Sequence, residues 1–287
     1  AELHGYTSRD YADLITDELK ISRGVYDSSI SIGKNGAVTG ASGGGGAITG
    51  GAFSSTTTGN AKSDLGLEGD GIKQLIATIS IGEEGSVQGS SALSAGARAE
   101  TTTGTANTTA ELSSDGIDLG RNGTAIKVGT IGNVSGSSLI GSLNPTTNRR
   151  ETPISAETTT GDASASADFA AAGIAKRGLV GATSDAGPTS DGRSLIQAGP
   201  LGGSISGTSE AGGQTSSLSV TGNTAASTMA RLDGIDGSGG LDLQAGLVGN
   251  NLVKGTASGT FDTRSITVNG DAKALGDATA FGILGDG

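Results

Sequence analysis

The chain has 287 residues, of which 53 are glycine and seven aromatic, with one histidine and neither cysteine nor tryptophan. A formal net charge of −11 with no run of Lys or Arg excludes a phosphate-backbone partner, since polyanions repel one another. No segment approaches the ~20 apolar residues of a membrane-spanning helix, and without thiols there are no disulfides and no cysteine chemistry.

The apolar fraction is 33% and largely alanine. Alanine buries little area, so a thick core of large side chains is not available. Close backbone approach with long hydrogen-bonded ladders is the remaining route to stability.

Residues 1–23 stand apart from the rest of the chain. Between Ser8 and Lys20, the residues Tyr11, Leu14, Ile15 and Leu19 fall on one helical face, which predicts a short amphipathic helix. Asp10 and Asp13 sit near its start and Lys20 at its end, as the helix dipole favours. Its expected role is to cap the first edge of the array that fills residues 24–287. His4, the only histidine, reads as a stray surface imidazole.

From residue 24 onward the chain is a tandem repeat. Ile30-Ser-Ile32-Gly33 to Val38-Thr-Gly40 matches Ile79-Ser-Ile81-Gly82 to Val87-Gln-Gly89, and again Ile126-Lys-Val128-Gly129 to Val134-Ser-Gly136. Looser copies run from Ile196 to Gly207 and from Leu243 to Gly255. Each reads as strand, glycine-bounded turn, strand.

A second signature is present in every unit. Gly59, Gly104, Gly161, Gly222 and Gly270 are each followed twelve residues later by a Gly-Ile step, at Gly71, Gly116, Gly173, Gly234 and Gly282. The first glycine is preceded by Thr-Thr-Thr in three units and followed by Asn, Thr or Asp, which suits a tight turn with positive φ. Taken from Gly24, the five units are 47, 45, 57, 61 and 48 residues long.

The distance from the last glycine of the first signature to the first glycine of the second is 19, 15, 25, 15 and 15 residues. The excesses over 15, namely 4 and 10, are even. An even insertion leaves an alternating strand's faces unchanged, so this supports β-structure. Two segments read as projecting loops: 143–153, with Pro145 and Pro153, and 182–193, with Gly187-Pro188 and Asp191-Gly192. Parallel coils and antiparallel hairpins both fit this pattern.

Chemistry is sparse. No Gly-x-Ser-x-Gly elbow sits at a strand–helix junction and no histidine can act as base, so an enzyme is not expected. Glu83-Glu84 reads as a solvated turn. Asp233, Asp236 and Asp242 lie among glycines and form the candidate calcium site, hard oxygen ligands on tight turns suiting that ion. The run is single rather than tandem, so ordinary Asp-Gly turns are the favoured reading and no cofactor is expected. The Thr-Thr-Thr triplets suggest ordered water on a flat face, but Val220, Val268 and Asn269 interrupt them, which leaves structural threonine.

The Ile-x-Ile-Gly, Val-x-Gly, Thr-Gly-Asp-Ala and Asp-Gly-Ile texture of residues 24–287 resembles the Gly/Ala/Thr-rich tandem-repeat proteins of fibres, surfaces and virions in cyanobacteria and their phages. The resemblance implies an extracellular, cell-surface or virion-exposed structural component and transfers no functional residue.

The resulting expectation is an all-β repeat array, a β-solenoid or stacked β-hairpins, of five units of about 45–60 residues behind a short N-terminal helix. Its expected function is a non-enzymatic structural subunit of a filament, surface layer or phage appendage. Its partners would be copies of itself, joined at β-edges. Ile283 and Leu284 at one end, and Tyr11, Leu14 and Ile15 at the other, are the expected interface. The alternative is an adhesin that binds cell-surface carbohydrate through 143–153 and 182–193, ahead of a polysaccharide-cleaving β-helix and an ice-binding protein.

Overall fold

The computed structural model describes residues 2–4, 10–16, 19–23, 28–32, 34–42, 48–73, 77–120, 124–176, 193–199, 201–246 and 252–285. Nearly all of these lie in strands, and no helix occurs among them.

Three strands precede the repeats: β1 (Glu2–His4), β2 (Asp10–Thr16) and β3 (Leu19–Arg23). The first coil comes next with β4 (Ser28–Ile32), β5 (Asn35–Ser42), β6 (Ile48–Thr58) and β7 (Ala61–Lys73). The second has β8 (Ala77–Ile81), β9 (Glu84–Thr103) and β10 (Ala106–Asp118). The third begins with β11 (Ala125–Val128) and β12 (Ile131–Ile140). It continues through a hairpin of β13 (Ser142–Asn144) and β14 (Arg149–Glu151), and β15 (Pro153–Thr160) and β16 (Ala163–Ala175) complete it. The fourth is β17 (Ser194–Ala198), β18 (Gly202–Thr221) and β19 (Thr224–Gly237). The fifth is β20 (Leu241–Ala245), β21 (Leu252–Asn269) and β22 (Ala272–Gly285).

Equivalent strands of successive coils pair in parallel and in register. Parallel stacking therefore replaces the two-way choice left by the repeat pattern. A base sheet holds β4, β8, β11, β17 and β20; a front sheet holds the long strands; a back sheet holds β7, β10, β16, β19 and β22. In the second coil the front strand has 20 residues, against 13 in the back and 5 in the base. A front strand slightly longer than the other two together leaves the turn residues to complete the perimeter, so the coil closes only as a narrow triangle.

The expected N-terminal helix is not formed. β2 instead pairs antiparallel with β5 from Asp10↔Ser42 to Thr16↔Gly36, and β3 pairs antiparallel with β4 from Leu19↔Ile32 to Arg23↔Ser28. A lone helix of about 12 residues is marginal in water. An open sheet edge offers the same backbone groups a ready ladder, and Tyr, Ile and Thr fit it well.

The even insertions fall where the alternation requires. In the first coil Ala41 pairs Ser90 and Ile48 pairs Leu93, so the four extra residues of the sequence fall between β5 and β6. In the third, Ile140 pairs Leu93 and Ile154 pairs Ala97, and the ten extra residues close as the β13–β14 hairpin, Ser142↔Glu151. Inward residues return inward after both. The segment 182–193 lies outside the described residues except for Arg193.

Two glycine columns shape the interior. Gly89, Gly136, Gly207 and Gly255 of the front sheet face Gly116, Gly173, Gly234 and Gly282 of the back sheet, and a Cβ on any of these front glycines would strike the facing carbonyl oxygen. The sheets thus meet backbone to backbone along one line, which divides the core. On the base side lie Val87, Ile117, Ile126, Val134, Ile174 and Ile196. On the other side lie Leu93, Leu112, Ile140 and Phe169, tapering to Ala99, Ala106, Ala156 and Ala163.

At the narrow end the chain turns at Gly59, Gly104, Gly161, Gly222 and Gly270, with φ between 109° and 144°. These turns stack so tightly that a Cβ on Gly104 would overlap the Gly59 carbonyl. The first four corners are each tied to the next coil. The N–H of Gly104 donates to Thr160 O (2.9 Å), and the carbonyl of Gly104 accepts from the Thr158 hydroxyl (3.1 Å). Thr101, Ser219 and Thr267 do the same for Gly59, Gly161 and Gly222. The first residues of the second and third Thr triplets, Thr101 and Thr158, are therefore structural donors, while the second residue, such as Thr102, faces out.

These contacts separate near-identical substitutions. Gly136→Ala should destabilise by about 3 kcal/mol, because two backbones must part. Gly66→Ala, with open space around its added methyl, should stabilise by roughly 0.5–1 kcal/mol through the unfolded chain. Thr158→Val should cost about 1 kcal/mol by stripping the part-buried Gly104 carbonyl of a donor, whereas Thr102→Val should change stability by less than about 0.5 kcal/mol. Urea unfolding of the four variants checks both pairs; equal effects within a pair would contradict the assignment.

Candidate functional site

The chemistry of the described residues concentrates where the back strands cross the Gly-Ile step. Along β10, Ala106 to Ser114 alternate regularly, with even-numbered residues inward. Gly116 then drops out of the paired register with Gly71 and Gly173, and Ile117 enters the base-side core. A strand interrupted this way bends and reverses its alternation. Residues on both sides of the step, Asp115 and Asp118, consequently share one outer concavity, with Asp115 only 3% exposed.

Parallel stacking multiplies this. Asp70, Asp115, Ala172, Asp233 and Phe281 form one column; Lys73, Asp118, Ala175, Asp236 and Leu284 form the next. Carboxylate oxygens of Asp70, Asp115 and Asp118 lie within 4.8 Å of one another. The Lys73 ammonium sits among them, 2.9 Å from Asp70 Oδ2, 2.7 Å from Glu68 Oε1 and 3.8 Å from Asp118 Oδ2. One coil further on, the Ala172 N–H donates to Asp115 Oδ1 (3.1 Å) and the Lys176 ammonium donates to the Gly120 carbonyl (2.8 Å). In the fourth coil a single guanidinium does this work: Arg231 Nε reaches Asp233 Oδ2 and its Nη2 reaches Asp236 Oδ2, each at 2.9 Å.

Burial raises the Asp70 carboxyl to about 6, against the pull of the Lys73 hydrogen bond and charge. Burial also works to lower Lys73, yet the Glu68 and Asp70 carboxylates hold it above the ordinary lysine range. Lys176 is lowered by burial, with Asp118 opposing. Three converging carboxylates are a ligand set for a hard divalent ion, but the Lys73 ammonium already fills that part. The chemistry on offer is charge neutralisation between coils.

The candidate calcium residues are only partly brought together. Asp233 and Asp236 share Arg231, whereas Asp242 lies on β20 in the base sheet and pairs with Arg193 Nη2 at 2.9 Å. Of the expected interface residues, Tyr11, Leu14 and Ile15 lie on β2, and Tyr11 is paired on both edges, with His4 and Ala41. Ile283 is 50% exposed and stacks on Ile235. Sequence reading missed the Asp70, Asp115 and Asp118 grouping. Its signal was the fixed place of Asp before Gly-Ile, which acquires meaning only once the strands are known to stack in parallel.

An open depression of about 450 Å³ lies on the outer back face beside this column, with Glu68, Glu111 and Asp168 on its wall. Comparison with family models, curated proteins and solved structures gives no match to the chain.

The raised Asp70 carboxyl has a defined sign. Folded Asp70 takes up a proton near pH 6 and unfolded Asp70 near the ordinary carboxylate value, so its contribution to stability grows as pH falls through that interval and is lost as pH rises again. The expected size is on the order of 2 kcal/mol. Thermal melts from pH 7 to pH 4 should show this component in the parent chain and lack it in Asp70→Asn; parallel profiles for the two would contradict it.

Proposed function

We propose that the protein is a non-enzymatic structural subunit of an extracellular filament, surface layer or phage appendage, assembled through β-edge contacts between copies. The observation that supports this best is the in-register column: each coil presents to the next the ladder groups and glycine corners it received from the one before. Such an interface is a template for further parallel strands. The fifth coil extends it, with Phe281 43% and Ile283 50% exposed where their counterparts in the fourth are covered.

Function in this reading is mechanical. Long parallel ladders resist extension along the stack, and small side chains let whole coils lie close together. Charged residues are paired along the columns rather than gathered on a substrate. An adhesin that contacts glycans is the second reading; what favours it is the β13–β14 hairpin, which lifts Leu143 (52% exposed) out of the front sheet. Deleting 142–151, an even number of residues, should leave assembly intact and abolish attachment only if the second reading holds.

Ile283→Asp should leave a folded chain, because that side chain is half exposed, while placing an unpaired carboxylate on the edge used for assembly. Circular dichroism with negative-stain electron microscopy checks both parts. Filaments or sheets undiminished in the variant would refute the role given to this edge.

A further inference from the structure

The first and fifth coils are complementary in a way their neighbours are not, and this bears on how copies join. On the narrow side of the glycine line, β6 pairs only with β9 and β7 only with β10 among the described residues. On the base side the same coil is covered, because β2 lies on β5 and β3 on β4. Half of the first coil's outer edge is therefore open and half is closed.

Following the columns shows what the open half fits. Ile48 heads the column Leu93, Ile140, Ala211, Gly259; Leu65 heads Ala110, Ala167, Thr228, Gly276; Leu67 heads Leu112, Phe169, Ala230, Ala278. The first coil is large where the fifth is small. At one neighbouring position the sizes reverse: Gly50 of the first coil aligns, through Ala95, with the column of Gly213 and Phe261. Large-against-small packing is how the interior is already built, since Phe169 fills the space that a side chain at Gly213 would need. The lengths agree as well. Ile48–Thr58 corresponds to Gly259–Asn269, and Ala61–Lys73 to Ala272–Leu284.

A fifth coil laid in register on a first coil would also bring its base strand and the start of its front strand into the layer that β3 and β2 occupy. Those strands run antiparallel to the coils and cannot be part of the continued parallel ladder. We propose that a second copy of this chain docks its fifth coil on the first coil, and that β2 and β3 are a displaceable stop which must leave before the joint closes. This rests on the assembly reading above and adds to it the mating edges, the register and the gate.

The chain has no cysteine, which makes engineered disulfides diagnostic. Asp13→Cys with Thr39→Cys joins a directly opposed pair of β2 and β5, at a separation disulfides accept. Oxidised, this chain should form less than a tenth of the filaments seen after reduction. A control lock within the array, Thr109→Cys with Ser166→Cys, should assemble equally in both states. Separately, mixing a Thr57→Cys chain with a Val268→Cys chain, positions that lie between the paired columns running from Thr56 to Thr267 and from Thr58 to Asn269, should give a cross-linked pair on oxidation, while Thr57→Cys with Ser216→Cys should not. Locked and reduced forms assembling alike, or filaments without the 57–268 cross-link, would overturn the gate or the register while leaving assembly itself standing. Absence of filaments in every form, reduced included, would overturn the assembly reading too.

Discussion

The contact on which this molecule depends is one between two backbones. Where Gly136 meets Gly173, and at the equivalent places in the other coils, front and back sheets touch with no side chain between them. Sheets ordinarily pack about 10 Å apart because side chains separate them. Removing those side chains along a single line draws the sheets together and fixes the cross-section: a wide compartment closed by the base strands, a tapering one closed by the glycine corners. Residue size tracks this shape. Ile and Val fill the wide part, Leu and Phe the middle, and alanine the narrow end.

Such an interior solves its polar problem by repetition. The corner glycines of the first four coils each give their N–H to the next coil and receive a hydroxyl from that same coil. The buried serines next to the glycine line behave similarly: Ser42, Ser91, Ser114 and Ser138 form a hydrogen-bonded chain crossing between coils and sheets. The charged columns outside the bend are neutralised coil by coil, by Lys73 in one place and Arg231 in another. Stability is thus distributed as nearest-neighbour terms, the energetics expected of a stacked repeat.

That arithmetic also bears on assembly. Within a repeat array an internal coil is held from both sides and an outer coil from one, so the difference is carried by whatever covers the outer faces. Here β2 and β3 cover the base half of the first coil with reversed strand direction, a device that satisfies ladder groups without offering a parallel template. The half-buried rim of Ile48, Leu65 and Leu67 and the small residues at the matching positions of the fifth coil are the two surfaces that the proposed joint would bring together. A rod built from such units would gain directionality from strand polarity and selectivity from packing shape.

Much of this was legible in the residues. The five glycine pairs set the number of coils, the Gly-Asn, Gly-Thr and Gly-Asp steps mark the positive-φ corners, and the even insertions before Gly59 and Gly161 required alternating strands, because these are local properties of the backbone and of period-2 sequence. Other features needed the folded chain. Tyr11, Leu14 and Ile15 suit a helical face and a strand equally, and it is the open edge of β5 that selects the strand. Asp70, Asp115 and Asp118 are 45 and 3 residues apart in sequence and become neighbours only through parallel pairing and the bend at Gly116. Periodicity specifies which residues point together along one strand; which strands lie side by side, and in which direction, is a long-range choice that only the packed ladder makes.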